Sequence, residues 1–298
     1  MSSIVMSELT KKFGRQVVLD HVNLEVLDGE FFSILGLNAS GKTTFMQLLL
    51  HFLKPSSGEI KIFDMEVKRD AAAIKEYVAV VTQECLFPGH LKPDAIFQKT
   101  LHLRHSNHRD ELEELKEYFD FYERRCFQDL NQEEKKVFAM INALMVKPKL
   151  LILDEPTLGV SEEIEQKFFR RLKLLQRDEG MTVLLLTSSL PLAQRYSDRV
   201  AYLHDGRIQD LESMQEKTTR DKVVQIFDAP FGTAPLEEIG AKLIQSEDPK
   251  SYYFDGELAQ LSQAIVDARL ANYNVKDADL RDKIGAYYTK TSVPGGEQ

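Results

Sequence analysis

A chain of 298 residues, 43% of them hydrophobic and 29% charged, has the size and make-up of one large globular domain with a smaller one appended. Its formal net charge of -9 leaves no basic excess to neutralise a phosphate backbone, so no nucleic-acid partner is expected. Cys85 and Cys126 are the two cysteines and lack paired spacing, which excludes a disulfide framework or zinc knuckle and fits a reducing cytosol.

The opening stretch 1–14 has no apolar core of leader-peptide length, and the longest apolar runs, 150–153 and 183–186, are far too short to cross a bilayer. Phe31–Leu35 reads as a buried strand running into a glycine-rich turn. Phe45, Leu48, Leu49 and Phe52 then share one helical face, ended by the breakers at 54–58. Residues 78–82, 150–153 and 182–186 are further apolar runs of a length that suits parallel strands buried on both faces. Between the last two, Ile164, Phe168, Leu172 and Leu175 make a helical stripe with Ser161 as its cap. Strand–helix–strand order predicts an α/β sheet.

Residues 84–145 contain few strand-like runs. Leu112, Leu115, Phe119 and Tyr122 mark one helix and 138–146 another, so the stretch reads as a helical insert. His204-Asp205-Gly206 reads as a hairpin turn. The expected domains are 1–217 and a small α+β unit, 218–298. In the latter, 223–227 and 252–254 are strand-like, and Leu258, Leu261, Ile265 and Ala268 give a helix stripe. The last eight residues, 291–298, are expected to be disordered.

Gly36-Leu37-Asn38-Ala39-Ser40-Gly41-Lys42-Thr43-Thr44 fits G-x-x-x-x-G-K-[ST] and falls between a predicted strand and a predicted helix. The glycines let the backbone curl so that successive N–H groups face phosphate oxygens, and the helix aims its positive end at the same point. Lys42 would reach the β- and γ-phosphates of ATP, and the Thr43 hydroxyl would ligate Mg²⁺. The bland alternative is a chance glycine turn, which an eight-residue motif with four fixed positions in the right context disfavours. Downstream, the apolar run 150–153 delivers Asp154-Glu155-Pro156 to a strand's carboxyl end, where α/β folds place ligands. Asp154 would hold Mg²⁺ and Glu155 would polarise the attacking water. Without the upstream loop, the same residues would read as a turn and helix cap.

The order of these motifs resembles the ATP-binding (ABC) subunits of membrane transporters, over about residues 2–210. The resemblance implies a P-loop nucleotide-binding fold with a helical subdomain. Phe13 then falls where the family stacks an aromatic ring on adenine, and Gln83 where a glutamine touches Mg²⁺ and couples the site to the permease. It also implies a dimer, in which ATP is sandwiched between one phosphate loop and a signature segment, usually L-S-G-G-Q, of the other subunit. Here that stretch is Leu130-Asn131-Gln132-Glu133-Glu134. Glu133 would bring a carboxylate towards a phosphate, and like charges about 4 Å apart repel by up to about 4 kcal/mol at an effective dielectric near 20. Asn131 and Glu134 have capping-box spacing, so this helix start would satisfy its own donors. Ser188 stands where the family has a histidine contacting the γ-phosphate, and Ser161 replaces the aspartate of the loop after D-E-P.

The resemblance thus implies an ATPase subunit whose binding residues are kept and whose closing residues are eroded. Its expected partners are an integral membrane permease and a second ABC ATPase, as homodimer or heterodimer, at the inner face of the cell membrane. A loose likeness of the tail to drug- and bacteriocin-export ATPases favours export. The alternatives are a catalytically weak ATP-sensing regulatory subunit and a soluble ABC protein outside transport; the acidic charge speaks against the latter.

Weaker signals have plainer readings. His102, His105 and His108 recur at every third residue, but Arg104 and Arg109 would repel a cation, so a solvated face is expected. The charge run 109–117 reads as an exposed helix. Phe119, Phe121 and Tyr122 read as core, Pro93 as part of a loop, and Leu86, Phe87 and Pro88 as candidates for contact with a permease.

Overall fold

The structure is a computed structural model and describes residues 1–214, 221–228, 232–246, 248–278, 282–283 and 285–286. The expected boundary after residue 217 and the tail 291–298 lie outside the described residues. By its internal contacts the chain divides into two units, Met1–Met214 and Gln215–Gln298.

The first unit opens with the hairpin β1 (Ser2–Phe13) and β2 (Gln16–Leu27). It continues with β3 (Phe31–Leu35), α1 (Lys42–Leu49), β4 (Ser57–Ile62), β5 (Met65–Glu66), α2 (Val67–Tyr77) and β6 (Val78–Val81). A helical block follows: α3 (Pro93–Leu103), α4 (Arg109–Tyr118), a 3-10 turn (Phe127–Asp129) and α5 (Gln132–Leu144). The unit closes with β7 (Leu150–Asp154), α6 (Glu162–Glu179), β8 (Thr182–Thr187), α7 (Leu190–Tyr196), β9 (Arg199–His204) and β10 (Arg207–Ser213).

Six strands form one sheet in the order β10-β9-β3-β8-β7-β6. β9, β3, β8, β7 and β6 run parallel, and β10 closes one edge through the Asp205-Gly206 hairpin. The sheet β2-β1-β4-β5 is antiparallel. The apolar runs are continuous because both faces of the parallel sheet are covered, and successive side chains enter different cores. Leu150 and Ile152 pack with Phe45 and Leu48 of α1 and with the antiparallel sheet. Leu151 and Leu153 pack with Phe138, Met140, Phe168 and Leu172 of α5 and α6. The result is the α/β layering expected from the strand–helix order.

Several local expectations are corrected. α1 stops at Leu49, because His51 turns left-handed (φ 56°), so Phe52 lies exposed beneath Lys75 rather than on the helix face. α4 stops at Tyr118 and Asp120 turns left-handed (φ 53°), which leaves Tyr122 60% exposed and outside the core that Phe119 and Phe121 join. Pro93 is the first residue of α3, where its missing N–H costs nothing, and is not in a loop. α5 begins at Gln132, ahead of the expected 138. Ser161 occupies the N-cap of α6 but its side chain makes no cap bond. Glu111, in the run expected to be solvated, is buried between Arg171 and Lys147 at 2.9 and 2.8 Å and ties α4 to α6. His102, His105 and His108 fall on three different local structures: the end of α3, a left-handed turn and the N-cap of α4.

The second unit contains β11 (Lys222–Asp228), α8 (Ala234–Glu238), β12 (Lys242–Gln245), β13 (Lys250–Phe254), α9 (Leu258–Asp267) and β14 (Asn272–Asp277). Its antiparallel sheet has the order β12-β13-β11-β14, the β-α-β-β-α-β plan of split βαβ folds. Val224, Ile226, Tyr252 and Phe254 face Leu236, Leu261 and Ile265 of its helices; Val223 and Tyr253 face Ala278 and Ala286 instead. Among the described residues, no helix is long and apolar enough to cross a membrane.

Candidate active site

The turn from β3 into α1 builds the cleft. Gly36 is obligatory there, because a Cβ would stand 2.4 Å from Ser40 Oγ and 2.8 Å from the Leu203 carbonyl. Ala39 (φ 65°) and Gly41 (φ 107°) are both left-handed, which curls the loop and turns its N–H groups inward. The first helical bond of α1 runs from Phe45 N–H to Gly41 O at 2.8 Å, so the N–H groups of Lys42, Thr43 and Thr44 precede any helical partner. Ser40 Oγ is buried without a hydrogen-bond partner.

Lys42 folds back over this turn. Its ammonium donates to the Gly36 and Leu37 carbonyls at 2.7 and 3.1 Å and lies 3.5 Å from Glu155 Oε1. β7 is a neighbour of β8 in the sheet, and this sets Asp154 and Glu155 opposite the loop. Thr43 Oγ1 lies 3.4 Å from Asp154 Oδ2, too long for a strong O–H···O bond. The cleft, about 370 Å³, is lined by Val18, Asn38, Ala39, Gly41, Lys42, Thr43, Thr44, Gln83, Asp154 and Glu155.

Asp154 is 3% exposed. Burial, and then the neighbouring charge of Glu155, push its carboxyl above the ordinary range, against the pull of Lys42, the Thr43 hydroxyl and Lys136. Two adjacent carboxylates, beside a threonine hydroxyl and an amide, form an oxygen-rich donor set that fits Mg²⁺. Thr43, Gln83 and Asp154 are the residues that would hold it. Glu155 is held differently: Oε1 accepts the Ser188 N–H at 2.8 Å and Oε2 the Thr187 hydroxyl at 3.2 Å.

Other sequence-predicted residues stand apart from this cleft. Phe13 is exposed at the end of β1 with the Lys11 ammonium 4.8 Å from its ring centroid; Val18 lines the cleft instead. At the start of α5 the capping box is present: the Glu134 N–H donates to Asn131 Oδ1 at 2.9 Å and the Asn131 N–H to Glu134 Oε2 at 2.8 Å. Gln132 packs against Gly159, and Glu133 accepts the Ser161 N–H. These residues therefore lean on the loop that follows Pro156. Leu86 is exposed, while Phe87 packs edge-on against Phe127 and Phe138. Sequence reasoning missed Val18, which belongs to no motif, and Thr187, whose place at the end of an apolar run was its only signal.

Residues 19–158 match the family model described as ABC transporter. The spermidine/putrescine import ATP-binding protein PotA of Mesoplasma florum is 29% identical over 216 residues, 71% of this chain and 61% of that protein. The bacitracin transport ATP-binding protein BcrA of Enterococcus faecalis is 26% identical over 249 residues, 83% of this chain and 79% of that one. The dimeric structure of MJ0796, a bacterial ABC transporter cassette, superposes with a TM-score of 0.66 at 25% identity, covering 72% of this chain and 99% of that one. The chain thus spans about three fifths of the length of the first PotA relative (61%). The first unit thus has the fold of ABC-type nucleotide-binding domains, and its residues 19–158 are similar in sequence to that family.

Proposed function

We propose that this chain is the ATP-binding subunit of a membrane transporter and that ATP, drawn into the cleft, moves a permease by shifting the population of its conformations. The observation that carries the reading is the convergence of Lys42, Thr43, Gln83, Asp154 and Glu155 on one cleft at the start of α1. Backbone N–H groups of the loop and Lys42 bind the phosphates, and Thr43, Gln83 and Asp154 hold Mg²⁺; the exposed Phe13, outside the cleft lining, is the proposed contact for an adenine that extends beyond it. When bound, Mg²⁺ neutralises phosphate charge. Glu155 takes the proton of the attacking water.

Turnover by this chain alone is proposed to be slow. Asn131 and Glu134 satisfy each other, and Glu133 is bonded to Ser161 of its own chain, so this helix start offers little to a nucleotide across a dimer. Ser188 supplies no imidazole. A second reading, an ATP sensor paired with an intact ATPase, rests on the same observations; the retained Glu155 favours hydrolysis. The proposed partners are a membrane permease and a second ABC ATPase, at the inner face of the membrane. On direction, PotA is named for import, whereas the match to BcrA, 249 residues long, reaches beyond the 214 residues of the first unit. BcrA is named for transport without a direction, so export is proposed only on the likeness of the tail to drug- and bacteriocin-export ATPases.

The test is affinity purification from detergent-solubilised native membranes, with partners identified by mass spectrometry. A polytopic membrane protein in near-stoichiometric yield supports the reading. Recovery from cytosol alone, with no membrane partner, overturns it in favour of a soluble ATP sensor.

A further inference from the structure

Lys136 is 1% exposed, inside the core that α5 shares with the parallel sheet. Its ammonium donates to two successive backbone carbonyls, Thr82 at 3.0 Å and Gln83 at 2.9 Å. These lie where the chain leaves β6, the strand having ended at Val81 and its ladder with it. Among the described residues no carboxylate lies within ion-pair distance of Lys136; burial depresses the affinity of its ammonium for its proton, and Cys85 and Asp154 act weakly the other way. Such a cation is costly, and an aliphatic side chain would suit the surrounding core better. What the lysine supplies is donors for two successive carbonyls at the edge of the core, outside any strand ladder.

Holding both carbonyls from one point fixes the peptide plane between Thr82 and Gln83, and with it the direction in which the Gln83 side chain leaves the backbone. That side chain lines the cleft beside Thr43, Asp154 and Glu155. The same helix carries, one turn earlier, Gln132 and Glu133, which touch Gly159 and Ser161. We infer that Lys136 is a positioning residue: it holds Gln83 in the nucleotide cleft and binds the Gln83 loop to α5, so that movement of the helical block is transmitted to Gln83. The catalytic part of this inference rests on the reading of the cleft as an ATP site; the tether does not.

The test uses the full chain with Lys136→Met, Lys136→Gln and Lys136→Arg, alone and with Gln83→Ala. Without nucleotide, hydrogen exchange at residues 82–86 rises about tenfold in Lys136→Met while the amides of β7 and α1 keep their protection; Lys136→Arg restores it, and Lys136→Gln falls between. With ATP, Lys136→Met lowers kcat about tenfold with the Kd for a fluorescent ATP analogue within about threefold, and adds less than about twofold to the loss caused by Gln83→Ala. Unchanged exchange at 82–86 overturns the tether whatever the kinetics. Equal losses of affinity and kcat, multiplying with those of Gln83→Ala, overturn positioning and leave a packing role. Should Lys136→Met not fold, Lys136→Gln and Lys136→Arg make the same comparison. A wild type that binds no ATP overturns the cleft reading and the positioning role with it, and leaves the exchange experiment to judge the tether.

Discussion

The carboxylate of Glu155 accepts the backbone N–H of Ser188 at 2.8 Å, so the end of β8 holds the side chain that follows β7. The Thr187 hydroxyl, donating at 3.2 Å to the other oxygen, completes the grip. The carboxylate is thereby aimed at the cleft with Lys42 beside it. Glu155→Gln keeps the shape and removes the base. ATP turnover in the assembled complex is expected to fall by about 10²-fold or more, with ATP affinity within a few-fold, as read by single-turnover hydrolysis and equilibrium binding. Unchanged turnover would favour the sensor reading.

Asp154 illustrates a conflict between stability and function. Its carboxyl titrates above the ordinary range, chiefly through burial. With a raised carboxyl, stability is full below the unfolded value of 3.8, where both states are protonated, and falls as pH rises through the folded value, leaving a constant penalty above it. Asp154→Asn removes the penalty at neutral pH. The nucleotide-free variant is expected to melt about 2–4 °C above wild type, equivalent to about 1 kcal/mol, while hydrolysis is lost. Thermal melts without Mg²⁺ or nucleotide read this directly.

Glu111 shifts the opposite way. Burial acts to raise its carboxyl, but hydrogen bonds and charge from Lys147 and Arg171 outweigh burial and hold it below the ordinary range. A depressed acid contributes stability that is present above its unfolded value of 4.5 and lost as pH falls through the folded value. Glu111→Ala leaves Arg171 paired with Glu114 alone and Lys147 with Glu179 alone, and is expected to cost about 1–2 kcal/mol at neutral pH. The difference in melting temperature from wild type should shrink below pH 4.5. A difference independent of pH would show that packing, not charge, ties α4 to α6.

The start of α5 is built for its own stability. Replacing Asn131, Gln132 and Glu133 by Ser, Gly and Gly, together with Ser188→His, restores the donors that the resembled family presents. Turnover of the isolated protein is expected to rise about tenfold, while loss of the Glu133–Ser161 bond and two glycines in the first turn of α5 cost about 1–2 kcal/mol; serine three residues before Glu134 keeps the capping-box spacing. Steady-state ATPase assays and thermal melts on the same samples check both halves; unchanged turnover would mean that other residues limit hydrolysis.

Legibility followed locality. Residues 36–44 and 154–156 were readable because each group is contiguous and carries its chemistry within one turn of chain. The capping box was readable because its partners are three residues apart. Tyr122 and Phe52 depart from expectation because helical periodicity continues past the residue at which the backbone turns left-handed, and Asp120 and His51 favour that turn only statistically. Glu111 reads in the sequence as one more surface charge because its partners, Lys147 and Arg171, lie far along the chain.

The amino-acid order alone determined the phosphate loop, the acidic pair at the end of a buried strand and the α/β class, since each follows from short-range pattern. Only the tertiary structure decided which polar side chains serve that site. β8 lies beside β7, and so Thr187 and Ser188 reach Glu155 across separations of 32 and 33 residues. α5 packs against the sheet, and so Lys136 rather than its exposed-looking neighbours grips the Gln83 loop from 53 residues away. Burial and pairing at such distances are properties of the packed sheet, because the chain must close long loops before these groups can meet.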